Sequence, residues 1–136
     1  MLELYTDGSC VKNPDGPGGW AVVLIDDDKY EWYLSDGEEK TTNNRMELRA
    51  VIEGIKLIND GSVCKIYTDS KLVINCAMGL WKRKANIDMW EEYDKIVKNK
   101  IINYEWVKGH SGNYYNEKVD KLALEEARKF YLKKEN

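Results

Sequence analysis

Val63-Cys64-Lys65-Ile66-Tyr67-Thr68-Asp69-Ser70 is the stretch on which the fold turns. It is β-prone as far as Thr68, becomes acidic at Asp69, and passes at once into a helix-start residue. Its end echoes an earlier segment, because Tyr5-Thr6-Asp7 also closes a strand-like run, Glu3 to Asp7, and is followed by Gly8. If the two runs are neighbouring parallel strands, both aspartates leave the sheet at the same edge. Adjacent strands lie about 4.8 Å apart, so the carboxylates would nearly touch. Two like charges about 4 Å apart repel by roughly 4 kcal/mol at an effective dielectric near 20. A fold tolerates that when a proton is shared or when cations sit between the acids. The echo therefore predicts a divalent-metal site.

Working outward, Gly8 to Gly19 holds four glycines and two prolines and reads as a turn-rich loop. Trp20 to Ile25 is apolar, Asp26-Asp27-Asp28 is a turn, and Lys29 to Leu34 alternates, which together predict a hairpin. Ser35 to Lys40 is polar and loop-like. Asn43 or Asn44 can cap a helix running to about Asn59, with Val51, Ile55 and Ile58 at helical spacing and Gly61 as its stop. After the Val63–Thr68 strand, Asp69 or Ser70 caps a helix carrying Leu72, Val73 and Cys76 and ending at Gly79. Residues 87–99 are helical by pattern, 101–107 form a strand, and 109–115 form a flexible loop. A final helix over 116–134 turns Val119, Leu122, Ala123, Ala127 and Phe130 inward. The order βββαβααβα, with two βαβ-type crossovers, predicts an α/β fold with a mixed sheet and helices packed on it.

A chain of 136 residues fits one domain, 1–136, with a single core. No apolar run approaches the roughly 20 residues needed to span a bilayer. No signal-like segment precedes Leu2, so the expected compartment is the cytoplasm and no membrane partner is expected. Cys10, Cys64 and Cys76 form no zinc spacing and read as free thiols. The net charge of −3 provides no global attraction to nucleic acid. Phosphate must be met by local basic patches or by bound metal.

Four acids stand at the ends of elements: Asp7 and Asp69 after strands, Glu47 in the first turn of a helix, and Asp120 near the start of the last helix. Each has an ordinary explanation. Asp7-Gly8 can be a turn, Asp69 an N-cap, Asn44-x-x-Glu47 a capping box, and Asp120 a charge favoured by its helix N-terminus. Together they fall where α/β sheets place their binding crevices.

The flanking residues carry more. The segments D-G-S-C-x-x-N-P (Asp7 to Pro14), T-T-N-N-R-M-E-L (Thr41 to Leu48), Y-T-D-S (Tyr67 to Ser70) and W-V-K-G-H-S-G…N-E-x-x-D (Trp106 to Asp120) resemble the type 1 ribonuclease H family, in the same order and at similar spacing. The resemblance covers the chain from Leu4 to about Ala127. It implies a ribonuclease H-like fold with a five-stranded mixed sheet. It also implies metal-dependent endonucleolytic hydrolysis of the RNA strand of RNA–DNA hybrids, leaving a 5′-phosphate and a 3′-hydroxyl.

By that resemblance the four essential carboxylates are Asp7, Glu47, Asp69 and Asp120, holding two Mg²⁺ ions, with Mn²⁺ as a substitute. Asp7 would bridge both ions, Asp120 would serve the ion that activates water, and Glu47 and Asp69 the ion at the leaving 3′-oxygen. His110, the only histidine, aligns with a mobile loop that assists proton handling or product release, although composition alone reads it as a solvated loop residue. Asn13, Asn43 and Asn44 match minor-groove contacts, with turn or cap chemistry as the alternative for the latter two. Thr42 matches a DNA-phosphate pocket and Asn116 the entry to the last helix. The backbone at Gly8 and Ser9, together with Glu47, could read the RNA 2′-hydroxyl. Trp81 and Trp90 read either as walls of the channel for the DNA backbone or as core.

Three departures from the family pattern stand out. Asp15 is an insertion in the first loop. Lys71 replaces the glutamine common after D-S, exchanging a base contact for a charge. Between Gly79 and Trp90 the basic helical protrusion of several bacterial relatives is reduced to Lys82-Arg83-Lys84, three charges that read as a solvated surface turn. The expectation is a minimal monomeric enzyme that binds its hybrid weakly, a deficit a recruiting protein partner could offset. A non-catalytic hybrid-binding module, and an enzyme acting on double-stranded RNA or in reverse transcription, are the competing readings.

Overall fold

The computed structural model describes residues 1–135, with side chains described as far as Tyr131. The elements run β1 (Leu2–Cys10), β2 (Gly16–Ile25), β3 (Glu31–Thr41), α1 (Asn43–Ile55), β4 (Val63–Thr68), α2 (Lys71–Ala77), α3 (Ile87–Ile96), β5 (Ile101–Trp106) and α4 (Tyr114–Glu135). The five strands form one sheet in the order β3-β2-β1-β4-β5. β1, β2 and β3 are antiparallel neighbours, while β4 is parallel to both β1 and β5. The mixed sheet and the βββαβααβα order are as the sequence predicts.

Strand alternation sorts the core into two layers. Leu4, Trp20, Val22 and Ile66 face α1 and pack on Met46, Val51, Ile52 and Ile55, with Val73, Met89, Trp90 and Tyr93 closing that side. Ala21, Val23 and Ile25 face the other way and meet Val119 and Ala123 of α4. Trp90 is therefore core, whereas Trp81 is exposed. The three cysteines are free thiols and buried.

Two segments expected to be loops are strands. Gly8-Ser9-Cys10 continue β1 and pair with Trp20, Gly19 and Gly18, so Asp7 lies within its strand and not at its end. The glycines there mark close approach, not turning. A Cβ on Gly8 would lie 2.2 Å from the Met46 carbonyl carbon of α1, and one on Gly19 would lie 2.1 Å from the Ala123 oxygen of α4. Ser35 to Lys40 belongs to β3, with Ser35 opposite Ala21 and Glu38 opposite Gly18. It reads as loop because an edge strand exposes polar residues without the alternation of a half-buried one.

Helix boundaries shift as well. α1 stops at Ile55, short of Asn59, although Ile58 remains buried in the following turn. The residues expected to cap it do not. Thr42 is the N-cap, in extended conformation, and its hydroxyl accepts the Arg45 N–H. Ser70, one of the two candidates, caps α2 by accepting the Val73 N–H. α4 starts at Tyr114, earlier than expected, and Asn113 Oδ1 accepts the Asn116 N–H at 2.9 Å. Tyr114 and Tyr115 of the expected 109–115 loop are thus drawn into the helix start, while Gly109 to Asn113 remain loop.

Candidate active site

Two strands and two helices deliver the acids to one place. Asp7 comes from the middle strand β1, where it pairs with Ala21. Asp69 follows the last residue of the parallel neighbour β4. Glu47 is the fifth residue of α1, past the first turn, so it is free of the capping-box role its spacing with Asn44 suggested. Ligand oxygens of Asp7, Glu47 and Asp69 all lie within 4.8 Å of one another. Asp120, the seventh residue of α4, stands close enough to raise the pKa of both Asp7 and Asp69.

The electrostatics of this cluster are unfavourable as it stands. Asp7 is 2 % exposed. Burial, then the charge of Asp69, pushes its pKa from 3.8 to about 8. Burial, then Asp7, holds Glu47 well above the usual carboxylate range, against a hydrogen bond from the Gly8 backbone. Asp69 is raised by burial and by Asp120. Among the described residues, neither Asp7, Glu47 nor Asp69 forms an ion pair with lysine or arginine. Glu47 Oε2 is buried with no hydrogen-bond partner. An orphaned carboxylate oxygen in an all-oxygen donor set fits a hard divalent cation, and the absence of cysteine or histidine from the trio disfavours a zinc cage.

His110 stands at the rim. Its side chain is 82 % exposed, its Nδ1 lies 3.8 Å from Asp120 Oδ2, and its backbone is left-handed at φ 56°. It sits beside the fourth acid on the loop between β5 and α4, where Ser111 Oγ donates to the Lys108 carbonyl and the Gly112 N–H to Glu117.

The remaining sequence candidates divide. Gly8 and Ser9 lie on β1 immediately beyond Asp7. Asn13 Oδ1 accepts the Asn43 N–H at 3.0 Å, and Asn43 Oδ1 accepts the Cys10 N–H at 2.6 Å, so these two side chains tie the first loop to the start of α1. Thr42 is committed to its cap. Asn44 is exposed and borders a cavity of about 150 Å³ shared with Leu48, Val73, Arg83 and Trp90. Asn116 is buried at the start of α4. Asp15 adopts φ 70° and its N–H donates to the Thr41 carbonyl at 2.8 Å, which ties the first loop to the end of β3.

Several partners around the site were not legible in the sequence. Trp106 donates its indole N–H to the Asp69 carbonyl at 3.1 Å, and Lys71 Nζ lies 4.4 Å over the Trp106 ring. Arg45 makes a two-pronged bridge to Asp88, joining the starts of α1 and α3 and holding the Asp88 carboxyl down at about 2. Arg83 is not the solvated charge its basic run suggested. It grips both Asp94 oxygens, donates to the Cys76 carbonyl and lies 4.3 Å over the Trp90 ring. Only Lys82 and Lys84 of that run remain outward charges. An Asn three residues ahead of a helical Asn (Asn113, Asn116) was the one signal that could have placed the start of α4.

The mixed sheet in this order brings carboxylates from β1, from the residue after β4 and from α1 to one point, an all-oxygen cluster suited to a divalent cation. The RNase H family model matches residues 1–128, and the chain belongs to that family, an endoribonuclease hydrolase family. Curated relatives include the ribonuclease H of Campylobacter jejuni subsp. jejuni strain 81-176, 43 % identical over 140 residues, with 94 % of this chain and 92 % of that protein covered. The ribonuclease H of Hahella chejuensis is 44 % identical over 135 residues, covering 90 % of each. Among solved structures, the N-terminal RNase H domain of a Mycobacterium tuberculosis protein, fused to maltose binding protein, superposes with a TM-score of 0.83 at 26 % identity, covering 97 % of this chain and 96 % of that one. LC11-RNase H1 in complex with an RNA/DNA hybrid shares the fold, with a TM-score of 0.79 at 21 % identity and coverage of 95 % and 98 %.

Proposed function

We propose that this chain, as one catalytic domain, hydrolyses the RNA strand of RNA–DNA hybrids at the Asp7–Glu47–Asp69–Asp120 cluster with two Mg²⁺ ions, leaving 5′-phosphate and 3′-hydroxyl ends. The observation that carries the reading is the trio of carboxylates within 4.8 Å, Asp7 buried and Glu47 and Asp69 partly buried, unpaired by any described lysine or arginine. Membership of the RNase H family supports the substrate class.

The residues divide the work. Asp7, the most buried of the aspartates, would serve both ions, Glu47 and Asp69 would help hold one, and Asp120 would help hold the other. When bound, such a pair of ions supplies an activated water and neutralises charge on the scissile phosphate and the leaving oxygen. His110, exposed beside Asp120, carries protons at the rim of the cluster. Gly8 and Ser9 present backbone to the RNA strand, and with Glu47 discriminate the 2′-hydroxyl that DNA lacks. Asn13, Thr42, Asn43, Asn44, Lys71 and Asn116 line the path of the hybrid, and the enzyme acts as a monomer.

The test is cleavage of an end-labelled hybrid with Mg²⁺, Mn²⁺ or chelator, beside RNA duplex and DNA duplex controls, with product ends determined. Cleavage confined to the RNA of the hybrid, dependent on divalent ion and abolished in Asp7→Asn, is expected. Full activity in chelator, or hybrid binding with no turnover in either metal, overturns the reading.

A further inference from the structure

β3 is an edge strand of eleven residues, hydrogen-bonded among the described residues only to β2. Its outer backbone groups form an unfilled ladder, the arrangement that accepts another strand. Edge strands are usually blunted by lysine, proline or an inward charge. This one instead presents large apolar side chains at its open end: Tyr30 just before it is 67 % exposed, Trp32 59 %, and Tyr33 and Leu34 38 % each. Trp32 and Leu34 stand opposite Leu24 and Val22 and so lie on the α1 face, while Tyr33 lies on the α4 face. An added strand would therefore find an apolar contact on both faces.

Charge selects the occupant. Between Asp26 and Lys40 seven acids stand against two lysines, a net of −5 in a chain whose total is −3. The acidity of the whole molecule is concentrated on this edge. It already attracts donors from nearby: the amino terminus meets Asp27 at 2.5 Å, Tyr33 and Tyr115 hydroxyls donate to Glu31, and Lys118 Nζ lies 4.9 Å over the Tyr33 ring. Phosphate-bearing ligands and anionic membranes are repelled. A second copy would bring the same −5 to the contact, and like charges facing each other across a strand pair are destabilising.

We propose that the Tyr30–Leu34 end of β3 is a docking edge for an extended, basic segment of another protein, one alternating lysine or arginine with aliphatic or aromatic residues. It adds to the sheet as a sixth strand. The contact leaves the catalytic cluster open. Trp32 stands opposite Leu24, and Leu24 opposite Leu4, three residues before Asp7 and two strands away, roughly 10 Å in each direction. The proposal is independent of the reaction the site performs.

The probe is a labelled ten-residue peptide alternating Lys or Arg with Val or Tyr, titrated by fluorescence anisotropy. Three comparisons accompany it: the same peptide interrupted by two prolines at equal charge, the Trp32→Ser/Leu34→Thr double variant, and the Asp7→Asn chain. Saturable binding is expected, weakened at least tenfold by the prolines and by the double variant, unchanged in Asp7→Asn, and accompanied by slowed hydrogen exchange at residues 31–35. Hybrid cleavage by the double variant stays at the native rate. Equal binding of the proline peptide would reduce the effect to bulk charge and overturn the proposal. So would undiminished binding to the double variant, loss of binding in Asp7→Asn, or self-association of the native chain through this edge.

Discussion

Replacing Asp7 with asparagine should stabilise the metal-free protein while destroying its activity. Asp7 is buried against Asp69, and its pKa rises from 3.8 to about 8. Folding therefore takes up a proton near neutral pH. An acid with a raised folded pKa contributes stability that is complete below the unfolded value and is lost as pH climbs towards the folded one. At about 1.4 kcal/mol per pH unit, the interval from 3.8 to 7 amounts to about 4 kcal/mol for an isolated group. Glu47 and Asp69 share the same protons, so the penalty belongs to the cluster, and removing Asp7 should recover about 2–4 kcal/mol. For a chain of this size that raises Tm by roughly 10 °C. The assay is thermal or urea unfolding in chelator from pH 5 to 8. Native stability should fall across this window, and that of Asp7→Asn should fall less. The acids held low by partners, such as Asp88, act only at lower pH and do not obscure it. Added Mg²⁺ should raise the native Tm and leave the variant almost unmoved, since ligand binding to the folded state adds RT ln(1 + [L]/Kd). A variant no more stable than the native chain at pH 7 in chelator would refute the account of the cluster as a repulsive pocket awaiting cations.

Four further outcomes are expected. Thr42→Ala should cost about 1 kcal/mol through loss of the α1 cap, whereas Asn44→Ala should stay within about 0.5 kcal/mol; chemical denaturation distinguishes them. Arg83→Ala should destabilise by about 1–3 kcal/mol by leaving Asp94, the Cys76 carbonyl and the Trp90 face without their partner, while Lys84→Ala in the same denaturation series changes little. His110→Ala should slow hybrid cleavage by about 100-fold with Tm unchanged, because the side chain is exposed and the role proposed for it is proton transfer. Hybrid affinity should depend weakly on salt, since the basic run contributes only Lys82 and Lys84 as outward charges; a slope of log Kobs against log salt near −10, the signature of about ten neutralised phosphates, would contradict a minimal interface.

What the chain declares by itself is its periodic and local chemistry. Tyr-Thr-Asp, twice at the close of β-prone runs, marked two acids that would converge if their strands were parallel neighbours, and β1 and β4 do pair in parallel. The helical spacing of Val51 and Ile55 gave the buried face of α1, and Ile58 is buried in the turn that follows it. These signals are local, because a strand or helix writes its own period into the side chains that must be buried. The motif order around Asp7, Glu47, Asp69 and Asp120 also named a family without any coordinates.

Tertiary structure decided everything that depends on what lies opposite. Gly8 and Gly19 look like turn residues until α1 and α4 are seen pressing against them, leaving no room for a Cβ. Ser35 to Lys40 looks like loop until β2 supplies its ladder. Arg83 looks solvated until Asp94 and Trp90 close around it. The cap of α1 passed from Asn43 to Thr42 because Asn43 is occupied by Cys10, thirty-three residues earlier in the chain. Spacing records which side chains share a face of one element, whereas the energy of a carboxylate, a glycine or a guanidinium depends on neighbours from other elements. For that reason the identity of the acids was visible in one dimension, and the burial that makes their pocket unfavourable without a cation appeared only in three.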